Sequence, residues 1–284
     1  MVTGPRPALD LLPTGEVVAL LLDAEQRVVP AVRRAADAIA SAADLVSDRL
    51  RSGGRLAFAG AGTSGRIAAA EAAELPGTFG LDRALVPARV AGGAVSTDHD
   101  EDDVDAAARD AADLGLTAGD VLVAVAASGS TPYTLAVARA AVDAGAAVIG
   151  VVTVAGSPLS RLATVPIEVR IGDEVLRGST RLCAGTAQKV ALNTLTTAAM
   201  ARFGRVHGDH MIDVEPANAK LRARAAGIVT EIADCSPAAA SAALERCGGN
   251  ARAAVLHLAL GLDPMAATAR SAEYLSLRAA LESG

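Results

Sequence analysis

Along the chain, short continuous apolar runs alternate with longer stretches in which apolar residues return every three or four positions. Residues 55–59, 120–126, 147–152 and 165–171 have the length and apolar continuity of strands buried on both faces. Helical spacing fills the gaps, from about Ser64 to Glu74, from Pro132 to Asp143 and from Thr186 to Phe203. The opening region is helical through about Arg51, on the spacing of Val28, Val32, Ala35, Ala36 and Ile39, with Pro30 suited to a helix start. Ser52-Gly53-Gly54 then ends it. The pattern predicts an α/β fold: a parallel sheet sandwiched by helices, with right-handed crossovers and ligands beyond the carboxyl ends of the strands. From about Ser236 only short helical stretches remain, broken by Gly248-Gly249-Asn250 and by Gly261-Leu262-Asp263-Pro264. They predict a compact helical bundle near the lower size limit for independent folding. The expected division is a helical region over 1–54 packing on the core, an α/β domain over 55–234, and a small helical module over 235–284.

Composition narrows the function. The 284 residues are 51% hydrophobic, enough for one large α/β core with an appendage. A net charge of -6, arginines scattered through helical segments and 2% aromatic residues argue against a nucleic-acid partner. The apolar run Val17 to Leu22 is too short for a signal or span, and the strands fall well below the roughly 18 residues that cross a bilayer. No membrane association is expected, and a cytoplasmic location is. Cys183, Cys235 and Cys247 form no CxxC pair and read as reduced thiols. His99, His207, His210 and His257 have no metal-ligand spacing, so no metal site is expected; His99 reads as solvent-exposed.

Two turns carry the candidate chemistry. Gly60-Ala61-Gly62-Thr63-Ser64-Gly65-Arg66 follows a strand and opens a helix, where glycines admit close approach and free N–H groups attract anions. A dinucleotide site would also need an acidic residue at a second strand end, and Asp82 has the distance but follows the turn-like Pro76-Gly77. Ala127-Ser128-Gly129-Ser130-Thr131-Pro132 repeats the arrangement after another strand. Taken singly, the glycines suit any strand-to-helix turn and the serines any helix cap. Two hydroxyl-rich turns together suit a sugar phosphate, one holding the phosphate and the other orienting the sugar.

The segments GAGTSGRIAAAEAAELPGTFG (60–80) and GDEVLRGSTRLCAGTAQKVALNTLTTAAM (172–200), with MIDV at 211–214 and NAKL at 218–221, resemble the signature of N-acetylmuramic acid 6-phosphate etherases. The resemblance covers nearly the whole chain, and the glucokinase regulatory protein shares much of it. It implies a flavodoxin-like SIS (sugar-phosphate isomerase) domain and, at the tail, a ubiquitin-associated-like module, for which a helical cap or dimerisation arm is the alternative. It also implies a homodimer, for which the apolar helix from Thr186 to Met200 could supply a face. Glu74 matches the family's acid and Glu101 its base. Gly62, Thr63, Ser64, Arg66, Ser128, Ser130, Thr131, Ser179, Thr180 and Arg181 match its sugar-phosphate-binding positions.

The implied reaction is cleavage of a lactyl ether. In the open-chain sugar the aldehyde acidifies the C2 hydrogen, a carboxylate removes it, and the lactyl oxygen leaves from C3. A second carboxyl group protonates that oxygen and then helps water add, giving D-lactate and N-acetylglucosamine 6-phosphate. The substrate's own carbonyl is the electron sink, so neither metal nor organic cofactor is expected. Burial is expected to raise the pKa of Glu74. Three positions depart from the family: Ser130 stands where it usually has Arg, Cys183 where it usually has Lys, and the stretch from Gly93 to Glu101 is about four residues short. Both lost cations are expected to lie near the sugar site. A non-catalytic sugar-phosphate sensor would keep the hydroxyl turns without needing both carboxylates.

Overall fold

The computed structural model describes residues 8–93 and 97–283. Three helices open it: α1 (Thr14–Glu25), α2 (Val28–Arg34) and α3 (Ala36–Arg51). There follow β1 (Leu56–Gly60), α4 (Gly62–Phe79), β2 (Ala88–Val90), α5 (Val104–Leu114), β3 (Val121–Val125), α6 (Pro132–Asp143), β4 (Ala147–Val152), α7 (Pro158–Leu162), β5 (Val165–Glu168) and α8 (Cys183–Phe203). The strands form one parallel sheet in the order β2-β1-β3-β4-β5. The order reverses between β1 and β3, and in open sheets of this topology that switch point is where ligands bind.

Every residue of β1, β3 and β4 is buried, which explains why these strands read as unbroken apolar runs. Phe58, Val123, Ile149 and Ile167 share one apolar cluster with α2, α3, α4 and α8, while Ala57, Leu122, Ala124 and Val148 share another with α5, α6 and α7. Pro166 is tolerated because β5 is an edge strand. The other edge strand, β2, is three half-buried residues and carried no readable apolar run.

Two boundaries differ from expectation. Instead of stopping near Glu74, α4 runs through Pro76 to Phe79; the proline lies in its last turns, and Gly80, left-handed at φ 62°, closes it by donating to the Pro76 carbonyl at 2.9 Å. The helix α8 begins three residues before Thr186. The Glu174 carboxylate, nine residues upstream, accepts from the N–H groups of Cys183 (3.2 Å) and Ala184 (2.9 Å) and caps it.

Beyond α8 come α9 (Ala219–Ile232), α10 (Pro237–Arg246), α11 (Ala251–Leu260), α12 (Pro264–Glu273) and α13 (Leu277–Glu282). Ala225, Ile228 and Val229 of α9 share a third apolar cluster with Ala240, Val255 and Leu277. Ile212 and Val214 belong to the same cluster. Arg252 ties this cluster to the end of α8: its guanidinium donates to both Asp213 carboxylate oxygens and to the Gly204 and Leu275 carbonyls. No helix of the described residues is long and apolar enough to cross a membrane.

Candidate functional site

The first and second turns leave the same edge of the sheet from neighbouring strands, since Gly60 is in register with Val125. At the first turn, a Cβ on Gly65 would sit 2.5 Å from the Gly60 carbonyl oxygen, so only glycine lets α4 start this close to β1. Gly62 is left-handed, with φ +53°, and a Cβ there would collide with Glu101 Oε1. The Glu101 carboxylate therefore lies over the glycine turn, at the switch point.

How Glu101 gets there is local. Three acids surround it, and two have structural work. The Asp100 carboxylate accepts from the Thr97 N–H and hydroxyl, which holds its pKa below the usual carboxylate range. Asp103 caps α5 by accepting from the Ala106 N–H at 2.7 Å. Glu101, on the short 3-10 helix Asp98–Asp102, precedes α5, so it is no first-turn acid of that helix, and it faces the turn. His99 is exposed, as expected.

At the second turn, Ser128 Oγ accepts from the Ser130 N–H (3.2 Å) and hydroxyl (3.0 Å). Thr131 is the N-cap residue of α6, yet its side chain makes no capping bond, so the hydroxyls are not explained as helix caps. The third candidate segment, Ser179 to Arg181, lies just before α8. It is brought to the first turn by the contact between the starts of α4 and α8, where Ser64 Oγ donates to Gln188 Oε1 at 3.0 Å. The Gln188 amide is buried, and its Nε2 has no partner among the described residues. Arg66 bonds Thr63 Oγ1 at 3.3 Å and lines a cleft of about 470 Å³ beside β2, with Arg89 and Asp110.

Glu74 is not at this edge. It follows Gly62 by twelve residues on α4, which places it about 18 Å down the helix axis. Nor is it buried: its side chain is 64% exposed and pairs with Lys189 Nζ at 3.4 Å. The buried carboxylate on this helix face is Glu71, which accepts from Lys189 Nζ (3.0 Å) and from the Thr196 hydroxyl (2.6 Å). Asp82 caps a 3-10 turn by accepting from the Ala84 N–H and stands at no strand end, which removes the dinucleotide reading.

With this geometry in hand, the relatives decide the family. An N-acetylmuramic acid 6-phosphate etherase of Rubrobacter xylanophilus is 45% identical over 280 residues, covering 97% of this chain and 93% of that protein. One from Cutibacterium acnes is 42% identical over 277 residues, covering 95% and 91%. The chain belongs to the N-acetylmuramic acid 6-phosphate etherase family. A SIS domain model also matches residues 22–153, from within α1 to just past β4. In fold, this etherase-family chain is similar to a phosphoheptose isomerase of Neisseria gonorrhoeae (TM-score 0.51, 17% identity, 66% of this chain and 98% of that one). It is also similar to an E. coli CFT073 protein in complex with A5P (TM-score 0.51, 21% identity, 70% and 97%).

Two of the three departures from the etherase pattern lie in different places, and the third, the short stretch after Gly93, includes residues 94–96, outside the described residues. Ser130 is exposed on the second turn, at the sheet edge. Cys183 is only 2% exposed, inside the apolar cluster under α8, so the expectation that it faces the sugar is not met. Burial, with Glu174 and Glu25 beside it, pushes its thiol up to about 11. His207 and His210 share a tight backbone turn, not a helix face, and His210 Nε2 meets Glu231 at 3.3 Å. No cluster of metal-ligating side chains occurs among the described residues. Sequence reasoning missed Glu71, Gln188 and Lys189. The signal was present in part: Glu71 precedes Glu74 by three positions in an alanine-rich helix, and Lys189 is one of two lysines in the chain.

Proposed function

We infer that this chain is a carbon–oxygen lyase that cleaves the D-lactyl ether of N-acetylmuramic acid 6-phosphate in cell-wall amino sugar recycling. The observation that carries the reading is etherase identity over nearly the full length of both chains. In the mechanism we propose, the hydroxyls of Thr63, Ser64, Ser128, Ser130 and Thr131 and the N–H groups opening α4 and α6 hold the phosphate and sugar. Gly62 leaves room for them, and Ser179, Thr180, Arg181 and Arg66 border the same edge. Glu101 takes the C2 proton of the open-chain aldehyde. The electron pair moves to C2–C3, and the C3–O bond breaks. Glu74 protonates the lactyl oxygen as it leaves, then takes a proton from the water that adds at C3, and Glu101 returns its proton to C2. D-lactate and N-acetylglucosamine 6-phosphate result.

This assignment requires two copies of the chain. C2 and C3 are bonded neighbours, so base and acid must reach atoms one bond apart. Glu101 lies over Gly62, and Glu74 stands about 18 Å farther along α4, so the two carboxylates of one copy cannot do that. We propose a two-fold homodimer in which Glu74 of each copy reaches the turns of the other, so that one interface makes two equivalent sites. Exposure of Glu74 on the single chain supports this arrangement. The partners are a small sugar phosphate and a second copy. A sensor would have no need of Glu101 over the turn or of Glu74 on α4. The test is incubation with N-acetylmuramic acid 6-phosphate, following D-lactate. Release that disappears in Glu101→Gln and slows in Glu74→Gln supports the reading, and release unchanged in both variants refutes it.

A further inference from the structure

The carboxylate assigned as acid is held by an ammonium that no step of the reaction has yet used. Glu71 and Glu74 lie one turn apart on the same face of α4, where two like charges repel. Lys189 stands between them, 3.0 Å from Glu71 Oε2 and 3.4 Å from Glu74 Oε2. The Glu71 side chain is 5% exposed, and a carboxylate buried to that extent persists only with its oxygens bonded. Thr196 satisfies one oxygen and Lys189 the other. The anchor is therefore on the inner side, and the ammonium is fixed with a donor directed outward at Glu74. Burial disfavours the charged form of Lys189, but the hydrogen bond and charge of Glu71, with Glu74 beyond it, more than offset this and raise its pKa.

We propose that Lys189 is a positioning residue for the departure of lactate, held in place by Glu71 and Thr196. The proposal rests on the reading of Glu74 as the acid. When Glu74 gives its proton to the lactyl oxygen it becomes an anion, and a cation already in place 3.4 Å away stabilises that charge as it forms. Removal of the C2 proton by Glu101 involves no change of charge at Glu74, so Lys189 should not affect it. Lys189 is thus assigned to one half of the reaction, which separates it from a residue that merely holds α4 against α8.

The test compares C2 hydrogen exchange in deuterated water with D-lactate release. Lys189→Met alone would strand the buried Glu71 charge, so the decisive variant is Glu71→Gln/Lys189→Met, with Glu71→Gln as its control. We expect the double variant to release lactate at least about tenfold more slowly than the control, with exchange within about twofold of it. Lys189→Arg should restore most of the release, since it keeps the charge. Equal losses of exchange and release in a folded double variant, or no loss of either, would overturn the proposal. Glu74→Gln run alongside distinguishes the failures. If it slows release and the double variant does not, only the role of Lys189 falls; if it leaves release intact, the assignment of Glu74 falls first.

Discussion

Two impaired variants of this chain should regain activity when mixed. Glu101→Gln lacks the proposed base and Glu74→Gln the proposed acid, so each homodimer of the proposed kind carries two defective sites. Glu101 lies over Gly62, and Glu74 is about 18 Å farther along α4, far beyond the reach of one side chain, so in the proposed dimer an intact site draws one carboxylate from each copy. A mixed dimer then contains one site with both carboxylates and one with neither. Random reassortment of equal amounts makes about half the dimers mixed, and each has half its sites, so about a quarter of wild-type activity should return. The assay is D-lactate release after the two variants exchange subunits, with exchange verified by a mass tag on one of them. Activity no greater than the sum of the separate variants, in a sample shown to contain mixed dimers, would refute the shared site. So would a monomer mass by light scattering in a preparation with full activity.

Three further substitutions probe the turns and the departures from the family. Gly62→Ala places a Cβ against Glu101 Oε1 on a backbone at φ +53°; we expect a stability loss of roughly 1–2 kcal/mol from the left-handed backbone and, from displacement of the base, C2 exchange slower by about a hundredfold. Thermal denaturation and deuterium incorporation measure the two effects. Ser130→Arg adds a cation at the exposed second turn, and a charge-assisted hydrogen bond of about 1.5–3 kcal/mol should lower KM for the muramic acid derivative by tenfold or more. Cys183→Lys should instead leave KM unchanged and raise the denaturation midpoint, because the buried thiol sits beside Glu25 and Glu174 and not at the sheet edge.

What the sequence revealed, and what it hid, follows the range of each interaction. The strands β1, β3 and β4 were legible because burial on both faces leaves a continuous apolar run that needs no partner to recognise. The start of α8 was not, because its cap is the Glu174 carboxylate nine residues upstream. The end of α4 was misread because Pro76 normally breaks a helix, and only the closing bond from Gly80 shows that it does not do so here. The same distinction runs through the site. Among the acids of residues 100–103, composition offers no way to choose, and the family match alone singled out Glu101. In the structure Asp100 and Asp103 are engaged by neighbours three residues away, and Glu101 meets Gly62 from across the fold. Glu74 is the converse case. Its place on a helix was legible, but its tie to Lys189 spans 115 positions, and the expectation of burial came from the chemistry alone. If Glu74 is the acid we propose, its exposure on its own chain, beside a fixed cation and far from Glu101, is out of place in a monomer. In the proposed dimer the same exposure would become a contact surface, so the residue least like a catalytic acid in isolation gives the strongest argument for testing a shared site.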